Sequence, residues 1–140
     1  MIDCIILGDS IAVGVQAILK DCHLYGRGGI NSWQWNKTYP IIESANIAVI
    51  SLGTNDHIGI KTREELESMR AKVKARRVFW ILPHGNLSAS LVPINALREV
   101  VRSVATKHGD QILDFDGSAS RDGIHPSSRG YKELAARVEP

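Results

Sequence analysis

Apolar residues in this chain gather into five short runs, most of them without in–out alternation. The runs are Ile2 to Leu7, His23 to Tyr25, Ile47 to Leu52, Val78 to Leu82 and Gln111 to Phe115. Stretches rich in Ile, Val and Leu that lack a period of two read as strands buried on both faces. The second run is short and begins on a polar residue. Between the runs the apolar spacing turns helical. Ile11 to Asp21 is apolar nearly all round, the pattern of a well-buried helix. Thr62 to Arg76 opens on Thr62 with Glu64 and Glu65 behind it, a first turn suited to the positive end of a helix. Leu91 to His108 carries Leu91, Ile94, Leu97, Val101 and Val104 and stops at Gly109. A last helix opens at Ser127 or Ser128, just after Pro126, and reaches about Val138.

The order β-α-β-α-β-α-β-α-β-α predicts an α/β fold: a three-layer α/β/α sandwich on a five-stranded parallel sheet. Right-handed crossovers restrict the strand order, and the flavodoxin-like order 2-1-3-4-5 is the expectation. At 140 residues the chain suits a single domain, 1–140, with one core. It shows no internal repeat, low-complexity tract or linker.

Composition adds limits rather than a class. Hydrophobic content of 44% and charged content of 23% are ordinary for a globular protein, so neither points to a special chain type. The net charge of +2 is too small to argue for nucleic acid or an anionic membrane as partner. Basic residues do gather between Lys61 and Arg77, with Lys72, Lys74, Arg76 and Arg77 among them, and read as a solvated helix face. Two cysteines cannot build a disulfide framework. Cys4 reads as buried filler in an apolar strand; one bridge to Cys22 is conceivable but has no support in the sequence. No stretch is apolar enough to span a membrane, and Met1 leads straight into Ile2 without a signal-peptide pattern. Cytoplasmic synthesis without export is the default, although a virion-borne or excised domain would look the same. Oligomeric state is not legible.

In a sheet of this order, ligands bind beyond the carboxyl ends of the strands. Each run here feeds a polar loop on that edge: Gly8-Asp9-Ser10, Gly26 to Ser32, Gly53-Thr54-Asn55-Asp56-His57, Pro83-His84-Gly85-Asn86, and Asp116 to His125. Ser10 and His125 can therefore meet despite their separation in sequence. A serine hydroxyl is a poor nucleophile until a base takes its proton and a third group orients the base. Asp122-Gly123-Ile124-His125-Pro126 offers that pair, with Gly123 permitting a sharp turn and Pro126 biasing His125 away from helix.

In these blocks the chain resembles the GDSL or SGNH hydrolases, named for a serine, glycine, asparagine and histidine in four blocks. Gly8-Asp9-Ser10 resembles the nucleophile block. Gly29 in Gly26-Arg27-Gly28-Gly29 resembles the second-block glycine, and Asn55 in Gly53-Thr54-Asn55-Asp56 the third-block asparagine. Asp122 and His125 resemble the last block. The resemblance implies Ser10 as nucleophile, His125 as base and Asp122 as its partner. It implies an oxyanion hole from the backbone N–H groups of Ser10 and Gly29 and the side chain of Asn55, and no cofactor or metal. The chain is shorter than most members, with minimal loops between blocks, so a small acyl group such as acetyl, carried by a small-molecule or carbohydrate ester, is expected. A lysophospholipase or thioesterase is the alternative within the family.

Simpler roles stand beside these. Ser10 also suits a helix N-cap, Asn55 a turn after a strand, and Gly28 and Gly29 a flexible loop. Asp9 and Asp56 read as loop-fixing acceptors. Trp33 and Trp35 either wall the substrate site or anchor their loop in the core. His57 and His84 lie on site-side loops and are candidate substrate contacts; with His23 and His108 they show no metal-ligand spacing. Two rivals remain. Asp114-Phe115-Asp116-Gly117 resembles a haloacid-dehalogenase first motif, but near the wrong end of the chain. A non-catalytic flavodoxin-like binding module is the other. The glycine loop fails the dinucleotide pattern at Asn31, and a Gly-x-Ser-x-Gly elbow is absent.

Overall fold

The computed structural model describes residues 1–86 and 91–139. Strands β1 (Ile2–Gly8), β2 (His23–Gly26), β3 (Ala45–Ser51), β4 (Ala75–Ile81) and β5 (Gln111–Leu113) form one parallel sheet in the order β2-β1-β3-β4-β5. That is the expected order. The register runs straight across the sheet: Tyr25, Leu7, Ile50, Trp80 and Ile112 lie side by side. Both faces are covered, which explains why the strands lack alternation. Cys4, Ile6, Val49, Phe79 and Ile81 pack under helices α1 (Ser10–Ile18) and α5 (Ser128–Val138). Ile5, Leu7, Ile50 and Trp80 pack against Trp35 of α2 (Ser32–Thr38), Leu66 and Met69 of α3 (Thr62–Lys72), and Val101 and Val104 of α4 (Ile94–Lys107). Each such fully buried Ile, Leu or Val contributes about 1.5–3 kcal/mol relative to exposure.

The sequence pattern implied a helix between the second and third strands without locating it. It is α2, seven residues long, opened by a capping box in which Asn31 and Gln34 exchange side-chain and backbone bonds. Several boundaries also move. Helix α1 ends at Ile18, and the chain then turns, with Cys22 N–H donating to Leu19 O. Helix α3 ends at Lys72, because Val73 is extended. Helix α4 starts after Pro93 and leaves Leu91 exposed.

Two expectations need correction. Lys74, Arg76 and Arg77 lie on the turn into β4 and on the strand itself, so the basic stretch is not one helix face. Lys72 is not simply solvated either: its ammonium bonds Asn36 Oδ1 at 2.9 Å and Tyr39 O at 3.2 Å and so ties α3 to α2. Cys4 is not free filler. It is joined to Cys22 in a buried disulfide that fastens β1 to the turn before β2. Such bridges persist in oxidising compartments, which sits against a cytoplasmic default. Among the described residues, no helix is long and apolar enough to cross a membrane.

Candidate active site

Strand β1 ends in a position only glycine can fill. Gly8 has φ +138°, and a Cβ there would stand 1.7 Å from Ser51 O on β3. The chain leaves the sheet at once. Asp9, not Ser10, caps α1: its Oδ1 accepts from Ile11 N–H at 3.0 Å and from Ser51 Oγ at 3.0 Å. Ser10 becomes the first helical residue, with its hydroxyl released from cap duty. Asp9 is buried, and its Oδ2 has no hydrogen-bond partner among the described residues. Burial pushes its carboxyl up to about 6, against the bonds from Ile11 and Ser51 that favour the charged form.

Ser10 Oγ stands 2.8 Å from His125 Nε2. On the far side of the ring, Nδ1 is 2.7 Å from Asp122 Oδ2. The turn holding this pair is built from its own short contacts. Asp122 Oδ1 accepts from His125 N–H at 2.9 Å, Ile124 N–H at 2.8 Å and Ser120 Oγ at 2.7 Å. Ser120 N–H donates to His125 O, and Gly123, at φ +69°, makes the reversal. These bonds from His125, Ser120 and Ile124 hold the Asp122 carboxyl far below the usual carboxylate range. An ionised carboxylate only accepts, so Nδ1 carries the ring proton and Nε2 is left to accept from the serine hydroxyl. Ser127 then caps α5 through Gly130 N–H.

The second loop reaches Ser10, and the third is tied to the second. Gly29 is exposed at φ +78°, and a methyl on Gly28 would lie 3.8 Å from Ser10 Cβ. Asn55 Nδ2 donates to Ile30 O at 3.1 Å, which fixes its amide against the glycine loop. Asp56, fully buried, locks the loops together by accepting from Ser32 N–H at 2.8 Å, Ser32 Oγ at 2.6 Å and Thr62 Oγ1 at 2.7 Å. Thr62 is thereby drawn away from capping α3, whose N-cap is Lys61 with no side-chain bond.

The remaining candidates divide. Trp35 is fully buried and donates its indole N–H to Tyr25 O at 2.9 Å, so it anchors α2 in the core and does not face substrate. Trp33 is 49% exposed and, with His57, Gly59, Ile60, Lys61 and Glu65, lines an open groove of about 450 Å³. His84 has both ring nitrogens on protein groups, Gly123 O and Asp116 Oδ1. Asp114 is held by Arg98 at 2.7 Å, and Arg98 keeps its carboxyl below the usual range although burial opposes this. Sequence reasoning missed Ser120, Ser51 and the Ser32–Thr62 pair as supports, since hydroxyl residues in loops carry no mark of their partners.

The sequence model of the GDSL-like lipase/acylhydrolase family matches residues 6–133. The chain belongs to that family. Its members' reaction makes it an ester-hydrolysing enzyme. No curated protein matches the sequence significantly. Solved structures with the same fold include a GDSL-like lipase from Bacteroides thetaiotaomicron, 16% identical, with TM-score 0.69 over 96% of this chain and 84% of that one. An acetylxylan esterase from Geobacillus stearothermophilus is 16% identical, with TM-score 0.65 over 96% and 90% of the two chains. A carbohydrate acetylesterase family member from Sinorhizobium meliloti is 13% identical, with TM-score 0.64 over 96% and 94%.

Proposed function

We propose that this family member is a serine esterase that hydrolyses short-chain carboxylic esters through an acyl-enzyme on Ser10. The observation that carries the reading is the unbroken relay from Ser10 Oγ through His125 to Asp122, at 2.8 and 2.7 Å. Ser10 gives its proton to Nε2 as Oγ attacks the ester carbon. The carbonyl oxygen gains the negative charge and takes hydrogen bonds from the N–H groups of Ser10 and Gly29 and the second Nδ2–H of Asn55. His125 then passes the proton to the leaving alkoxide. Water enters, gives a proton to His125 and attacks the acyl carbon; the acid leaves and Ser10 is restored. Asp122 stays ionised throughout and steadies the imidazolium.

The short loops and the open groove at Trp33 and His57 favour acetyl or butyryl esters, with O-acetyl groups on carbohydrate as the natural class. A second reading, lysophospholipase or thioesterase, is favoured by the apolar groove wall of Trp33 and Ile60 and by Ile58 beside it, 80% exposed. A nitrophenyl ester series run below micelle-forming concentration separates the two. Each methylene buried in a true acyl tunnel would add about 0.8 kcal/mol. The esterase reading expects kcat/KM to peak at acetyl or butyryl, with no gain beyond octanoyl and no turnover by Ser10→Ala. A continuous rise through dodecanoyl would assign a lipid substrate.

A further inference from the structure

The base sits on a turn that, among the described residues, takes few hydrogen bonds from outside. Among the described residues, two hydrogen bonds reach residues 119–126 from outside segment 118–127. One is Ser10 to His125; the other runs from His84, at the start of the β4–α4 loop, to the carbonyl of Gly123. A carbonyl only accepts, so His84 Nδ1 is the donor. Nothing in the reaction uses this contact. The ring is half-buried and packs on Phe115 at a tilt of 37°, with centroids 5.1 Å apart. Its other nitrogen lies 3.3 Å from the exposed carboxylate of Asp116, a contact of little energetic weight.

The next residue closes on the same turn. Gly85 has φ +115°, and a Cβ there would stand 3.3 Å from Ile124 Cγ1 and 3.4 Å from Gly123 O. One loop therefore meets both residues that separate Asp122 from His125, by a hydrogen bond at Gly123 and by packing at Ile124. We infer that His84-Gly85 is a brace that sets the height of the Asp122–His125 turn over Ser10, with His84 as a positioning residue of the reaction. The inference rests on His125 being the base. It also gives His84 a role different from touching substrate.

Two substitutions separate the brace from packing. His84→Phe keeps a ring against Phe115 and removes the donor. His84→Asn places an amide nitrogen where Nδ1 stands and restores it. Misplacing a catalytic group by a fraction of an ångström to one ångström costs up to about 10²-fold. His84→Phe should therefore lower kcat on nitrophenyl acetate by roughly tenfold to 10²-fold, with KM within about twofold of the parent. His84→Asn should recover most of that loss. The His125 Nδ1 proton resonance should move in His84→Phe and return in His84→Asn. Full kcat in His84→Phe, an Asn variant as slow as the Phe variant, or a loss confined to KM would overturn the inference. An unchanged His125 resonance in His84→Phe overturns it whether or not the esterase reading holds. Full activity in Ser10→Ala would instead sink the esterase reading and leave the resonance test standing.

Discussion

Asp56 and Asp122, two carboxylates of the site-side loops, are built in opposite ways. Asp56 is fully buried in the loop after β3 and takes its bonds from Ser32 and Thr62, on α2 and α3. The side chain of Asp122 is 48% exposed, and the groups that bond it all lie within three residues. Asp56 is thus held by the fold, because its bonds tie the loop after β3 to α2 and α3. Asp122 is held by one local turn, set on the fold by Ser10 and His84. Damage to Asp56 should appear as lost stability, and damage to Asp122 as lost rate.

The largest expected effect falls on the exposed side. Asp122→Asn removes the carboxylate that fixes the His125 tautomer and should lower kcat by about 10⁴. Its unfolding free energy should stay within about 1 kcal/mol of the parent, as for other half-exposed polar changes. A variant that loses several kcal/mol instead would erase the contrast. Asn55→Ala comes next. It removes the donor proposed for the transition state and should lower kcat by about 10²–10³ at nearly constant KM. A rise in KM with kcat intact would mean that Asn55 binds the ground state.

Asp56→Ala tests the buried side. It strands the buried Ser32 N–H and hydroxyl, and urea unfolding should show a loss of roughly 2–3 kcal/mol or more. Unchanged stability would show that the loops hold themselves. The smallest effect is the pH dependence set by Asp9. Its folded-state carboxyl is raised to about 6, so the native state keeps a proton between about pH 4 and 6 that the unfolded chain has released. The stabilisation from this group is therefore full near pH 4 and is lost as pH rises through 6. Above that the ionised carboxylate costs on the order of 2–3 kcal/mol. Asp9→Asn should flatten the change in urea midpoint between pH 4.5 and 7. An unaltered slope would show that Asp9 does not set it.

The same contrast marks what was legible in the sequence. The strands were, because continuous Ile, Val and Leu record burial on both faces. The four blocks were, because Ser10, Gly29, Asn55, Asp122 and His125 each sit within a short motif. Helix α2 was not located, since seven residues make fewer than two turns and show no periodicity; its signal was the spacing of Asn31 and Gln34. Trp33 and Trp35 could not be told apart without that helix. Two positions apart on a helix, they point to opposite sides, one to solvent and one to the core. Thr62 was read as a cap because local rules favour it, and buried Asp56 outcompetes the cap. The Cys4–Cys22 bridge and the His84 contact depend on register between distant segments.

The central claim is that His125 activates Ser10 as the nucleophile. A fluorophosphonate probe followed by peptide mass spectrometry tests it directly, because only an activated serine reacts at low probe concentration. The account predicts the label on Ser10 in the native protein, and its loss in His125→Ala while that variant still unfolds cooperatively. A label found mainly on Ser32 or Ser127, or a Ser10 label undiminished in His125→Ala, would contradict it.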